Sequence, residues 1–201
     1  MVLCALMVPI GVFLLPLAIA GGVAASGPLD GAMSGSLLRI WIAVVVLGPI
    51  IEELAFRSWL SGRAGQFVAG GAFVALYFGG GAVLGADGTP PTQDEGFATF
   101  AMAMALYLTL AIWLRKSRVP QWYVRAFPAI FWLNAIGFGT LHLANYAGDI
   151  GPALITFTIP QIAAGAMFGY ARIRVGLWSA IALHVAFNAV PVTALSLMQL
   201  L

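Results

Sequence analysis

The sequence predicts an all-α, polytopic transmembrane bundle of about seven spans around an intramembrane polar cavity. Three observations predict it. Charged residues make up only 8% of the 201-residue chain, where an ordinary soluble domain carries about 25%. Apolar runs of roughly 17–23 residues recur from end to end, long enough to cross a bilayer as helices. These runs do not alternate apolar with polar positions, so a β-barrel, the other structure that satisfies its backbone within lipid, does not fit.

The spans fall at roughly 3–25, 38–60, 66–85, 97–114, 127–145, 151–170 and 175–198. The first, "MVLCALMVPIGVFLLPLAIAGG", resembles a signal peptide with Ala18–Ala20 as cleavage site, but it lacks a positive n-region and reads as a retained span. The second holds "GPIIEELAFRSWL" (48–60), where two acids and an arginine interrupt an apolar run. The third and fourth spans flank "GGGAVLGADGTPPTQDEG", whose composition fits a flexible external connection. The fifth ends in "FGTLHLANY", and the seventh contains "ALHVAFNAV". Trp59, Trp113, Trp122 and Trp178, near span ends, read as interfacial anchors. Gly165 and Gly169 read as a close helix-packing pair.

Charge sorts the connections. Arg57 and Arg63 follow the second span, Arg115, Lys116, Arg118 and Arg125 lie between the fourth and fifth, and Arg172 and Arg174 between the sixth and seventh. The intervening connections carry Asp87, Asp94, Glu95 and Asp149 but no Lys or Arg, Arg39 at the edge of the second span apart. The positive-inside rule gives a cytoplasmic N-terminus and an external C-terminus. The single cysteine, Cys4, excludes an intrachain disulfide, and no basic patch of the nucleic-acid-binding kind is present. The chain reads as one integral-membrane domain over 1–201.

An ionisable group within a span is costly and marks a functional site by default. Glu52, Glu53, His142 and His184 are such groups, and the last two are the only histidines in the chain. Residues four apart share a helix face, so Glu53 can pair with Arg57, Phe138 faces with His142, and His184 with Asn188. Glu52 points about 100° away from its neighbour and is left for other work. A carboxylate beside a histidine can take a proton from water. A second imidazole and a carboxamide can hydrogen-bond the oxyanion of an attacked amide. Peptide hydrolysis without a covalent nucleophile is thus available to this set. Two histidines and one carboxylate are also a catalytic zinc set, although no HExxH is present to favour it.

The three motifs, "EELAFR" (Glu52–Arg57), "FGTLH" (Phe138–His142) and "HVAFN" (His184–Asn188), resemble the EExxxR, FxxxH and HxxxN pattern of the CAAX-protease and bacteriocin-processing (CPBP, or Abi) family of intramembrane proteases. The resemblance covers roughly 38–60 and 127–190. It implies Glu52 as the general base, supported by Glu53 and Arg57. It implies that His142, with Phe138, holds and polarises the water, and that His184 and Asn188 stabilise the oxyanion. No cofactor is expected; in a zinc-dependent version Glu52, His142 and His184 would be the ligands. The chain departs from the family's usual spacing, in which EExxxR passes through one turn into the FxxxH helix. Here residues 58–141 intervene, enough for an inserted helical pair at about 66–114.

The function expected is that of an intramembrane endopeptidase in a bacterial or archaeal cell membrane. Its partners are the bilayer and a membrane protein or peptide substrate, with no nucleic acid. The rival expectations are a non-catalytic membrane immunity or scaffold protein of the same fold, and a proton-coupled transporter using Glu52 and the histidines as a relay.

Overall fold

A computed structural model describes residues 24–25, 36–89, 91–147 and 158–198. The expected first span, Cys4 and the start of the sixth span lie outside these residues, Ala24 and Ala25 apart. What is described is helical but for one two-residue antiparallel pairing, β1 (Ala24–Ala25) with β2 (Tyr146–Ala147). By contacts the chain divides into two compact parts. One comprises residues up to Ile51 and from Pro128 on, the other Glu52–Phe127.

Among the described residues, four helices are long and apolar enough to cross a membrane: α3 (Ala64–Leu84), α4 (Gln93–Trp113), α5 (Gln121–Leu141) and α7 (Leu177–Met198). The chain is an integral membrane protein. The region of the expected second span is helical from Leu37 to Ser61 but changes geometry along its length. It runs as α1 (Leu37–Ile40), a π-helical stretch (Trp41–Leu47), α2 (Gly48–Arg57) and a 3₁₀ turn (Ser58–Ser61). The last described helix, α6 (Ile159–Arg174), joins α7 through a short turn at Gly176. Helix α5 starts earlier than the sequence predicts, directly after Pro120, and continues through Pro128 without ending there.

In the Glu52–Phe127 part, α3 and α4 form a hairpin, packed along their length. Phe73 is fully buried and meets Phe100 and Tyr107 edge-on. The turn between the two helices is shorter and better bonded than a flexible loop. The Asp87 carboxylate accepts from the Thr89 amide at 2.9 Å and its hydroxyl at 2.6 Å. Thr92 and Glu95 then cap α4 reciprocally. Before α3, Gly62 adopts φ +71°, a left-handed helix stop at which a Cβ would also strike the Tyr123 ring.

In the other part, α7 packs on α6 and on the π-helical stretch. Ile40, Val45 and Val192 form a buried cluster there, closed by Trp41, Val44, Val185 and Ala189.

Candidate active site

The acid-bearing helix starts with a distortion. Pro49 is fully buried at the second position of α2 and has no N–H to return to the preceding turn. Upstream the helix widens: the Gly48 amide bonds the Ala43 carbonyl, five residues back. A Cβ on Gly48 would lie 3.0 Å from that carbonyl oxygen, so a bare backbone suits the site. π-Helical bulges of this kind recur at functional sites.

One turn later come the charges. Glu53 Oε1 and Arg57 Nη1 lie 3.1 Å apart and both side chains are 0% exposed. Removing two charges from water is offset only if they neutralise each other, and the i,i+4 spacing places them to do so. Glu52, adjacent but on another face, is partly buried. Next to Arg57, the buried Ser58 hydroxyl donates to the Leu54 carbonyl at 2.6 Å. It also lies 3.4 Å from the Tyr107 hydroxyl of α4, which donates to Gln66 Oε1 of α3 at 3.1 Å. The α3–α4 hairpin thus reaches the end of the EExxxR helix through a hydroxyl chain.

The histidines lie in the other part, in an aromatic setting. His142 opens a 3₁₀ turn (His142–Asn145) directly after α5. Its Nδ1 lies 2.7 Å from the Phe138 carbonyl oxygen, and since a carbonyl only accepts, Nδ1 carries the proton. With Nδ1 so engaged, Nε2 is the acceptor nitrogen of the ring's neutral form, the tautomer suited to hold a water or a metal. The Phe138 ring is 4.5 Å from that of His142 and meets His184 edge-on at 5.8 Å. Both histidines therefore touch one buried phenylalanine. His184, 3% exposed, is also stacked on Phe168 of α6, with centroids 4.4 Å apart and planes 19° from parallel.

Asn188, one turn beyond His184 on α7, donates from Nδ2 to the Val44 carbonyl of the π-helical stretch at 2.9 Å. That bond uses one of the two N–H groups of the amide and fixes its orientation. α5 and α6 approach closely here, for a Cβ on Gly139 would lie 2.4 Å from Ile162 Cγ1.

Two participants escape reading by motif. Phe168 is an aromatic inside an apolar run, with nothing in its spacing to set it apart. The Val44 carbonyl carries no side-chain signature. Within each part taken alone, the described residues hold no three His, Cys, Asp or Glu side chains grouped for a metal ion. The Glu pair belongs to one part and both histidines to the other.

A family model matches residues 34–190: Rce1-like, Type II CAAX prenyl endopeptidase Rce1-like. All three motifs fall inside the match. The chain belongs to the Rce1-like family. The family is one of CAAX-type intramembrane proteases, in agreement with the resemblance carried by the three motifs. No curated protein and no solved structure matches the chain. The Rce1-like match also runs through the α3–α4 hairpin, so both helices lie within the stretch assigned to the family.

The same part that holds the histidines carries an apolar groove of about 710 Å³. Ile162, Ala163, Ala166 and Met167 of α6 form its floor, with Phe131 and Trp132 of α5 and Leu183 of α7 beside them. Alanines at 163 and 166 leave the space that larger side chains would fill.

Proposed function

We propose that this Rce1-like chain is an intramembrane endopeptidase that hydrolyses a peptide bond of a membrane-associated protein or peptide. Glu52 takes the proton from the attacking water, and Glu53 with Arg57 holds its helix. His142 accepts a hydrogen bond from that water through Nε2 and polarises it, with Phe138 packed on its ring. His184 and the second N–H of Asn188 stabilise the oxyanion as the carbonyl is attacked. The proton taken by Glu52 passes to the departing amine. The site is a polar cavity within the bundle, the N-terminus is cytoplasmic, and the catalysis is free of metal.

The observation that carries this reading is the coincidence of the three motifs with the family match. Both histidines of the chain are held on Phe138, and the acid beside Glu52 is already neutralised by Arg57. The family's description names CAAX prenyl endopeptidases, so a peptide with a prenylated C-terminus is the first substrate class to try. The groove along α6 supports a lipid-bearing substrate, since its walls are almost wholly apolar.

The test is a comparison of protein termini in membranes from cells carrying the wild type, Glu52→Ala or His142→Ala. The expected result is that one set of new termini disappears in both variants while both proteins remain in the membrane. Unchanged termini together with an unchanged phenotype would replace the enzyme by a non-catalytic scaffold or immunity protein. Divalent-metal chelation is expected to leave cleavage intact; a loss restored by zinc would instead make Glu52, His142 and His184 ligands.

A further inference from the structure

Between α4 and α5 the chain makes a turn that carries Arg115, Lys116 and Arg118, with Arg125 one turn into α5. Arg63 stands beside it at the start of α3. All five cations are exposed. Acids are absent from residues 54–86 and 96–148, and among the described residues none of these five pairs with a carboxylate. An uncompensated cluster of this size is unusual in a chain with nine basic residues in all.

The turn is held in place. Arg63 Nη1 donates to the Arg115 carbonyl at 2.9 Å, the Gly65 amide to Ser117 Oγ at 2.8 Å, and the Ala64 amide to the Arg118 carbonyl at 3.3 Å. The Tyr123 hydroxyl donates to the Trp59 carbonyl at 3.0 Å, and the Phe67 ring meets those of Trp59 and Tyr123 edge-on. The cations are therefore presented by a fixed frame. Trp113 and Trp122, among the most exposed indoles of the chain at 78% and 61%, flank the turn at the ends of two apolar helices. Amphipathic rings at helix ends sit at the headgroup level of a bilayer.

We propose that Arg63, Arg115, Lys116, Arg118 and Arg125 form a binding face for the phosphate headgroups of anionic phospholipids. The flanking tryptophans set the face at headgroup depth, where clustered Lys and Arg attract anionic lipid. Charge complementarity and depth together favour lipid over a soluble acidic protein, which would not need the indoles. The face is independent of the peptidase reading: it uses none of the residues assigned to hydrolysis.

The test is native mass spectrometry of the full chain from micelles supplied with equal phosphatidylglycerol and phosphatidylcholine. Phosphatidylglycerol is expected to be retained in preference, with the preference falling as salt rises. Arg115→Gln/Lys116→Gln/Arg118→Gln should weaken retention by about fivefold per charge removed, on the order of a hundredfold together. Arg172→Gln/Arg174→Gln, at the other basic turn, should leave it near the wild-type level. Equal retention of the two lipids by the wild type would overturn the proposal. So would equal losses in the two variants, or retention abolished by soluble polyglutamate.

Discussion

The two halves of the motif set are built from opposite materials. Around α2 the side chains are fixed by charge and hydroxyls: Glu53 against Arg57, then Ser58, Tyr107 and Gln66. Around α5, α6 and α7 the histidines are fixed by aromatic rings, Phe138 and Phe168, with Asn188 tied to a backbone carbonyl. A charged frame tolerates no missing partner, because a buried lone charge is costly. An aromatic frame constrains position by shape rather than by charge. Glu52 thus stands next to an ion pair, while His142 and His184 stand on aromatic rings.

The largest expected effect follows from breaking the ion pair on one side only. Arg57→Met leaves the buried Glu53 without its arginine and is expected to cost about 3–5 kcal/mol, read as loss of the folded protein from the membrane. The double variant Glu53→Leu/Arg57→Met should recover most of the stability. A double variant as poor as the single one would show that the pair does more than neutralise itself.

Next comes the aromatic frame. Phe168→Ala removes the ring stacked on His184 and is expected to cost about 3 kcal/mol, the low end for a buried phenylalanine. Here the helices should persist while His184 loses its fixed orientation, visible as exchange broadening of its imidazole NMR signals. Sharp, unshifted His184 signals would separate the stack from histidine positioning.

Tyr107→Phe is smaller. Deleting one hydroxyl of the chain from Ser58 to Gln66 should cost about 1 kcal/mol, measured as a lowered unfolding midpoint in detergent. An unaltered midpoint would mean the α3–α4 hairpin is joined to α2 by packing alone.

The smallest effect lies outside the spans. Hydrogen bonds from the Thr89 side chain and backbone hold the Asp87 carboxyl below its ordinary value of 3.8. A depressed folded value adds stability above the unfolded value, and that gain is lost as pH falls through the folded one. Thr89→Ala should therefore lower the midpoint slightly at neutral pH and not at all at strongly acid pH. A deficit that persists in acid would assign the effect to something other than Asp87.

Much of this was legible in the sequence, and the reason differs by feature. The membrane helices follow from long apolar runs. The Glu53–Arg57 pair follows from a four-residue interval within an apolar helix. The widening before Pro49 was not legible, since it depends on how Gly48 and Ala43 share one turn. Phe168 beside His184 was not legible either: one aromatic in an apolar run looks like any other until the helices pack. The Ser58–Tyr107 contact joins residues 49 apart in sequence, a pairing no local pattern announces. For the candidate site, the motifs name the candidate groups and their types, and tertiary packing supplies what orients them.

The central claim is that Glu52 supplies the base. The most direct measurement is the rate at which the reconstituted protein cleaves a prenylated C-terminal peptide, wild type against Glu52→Gln, which keeps the side chain's size and removes its basicity. General-base catalysis contributes about 10²–10⁴-fold, so the account predicts a rate lowered by at least that lower bound with the protein folded in its vesicle. Cleavage by Glu52→Gln at the wild-type rate would contradict it.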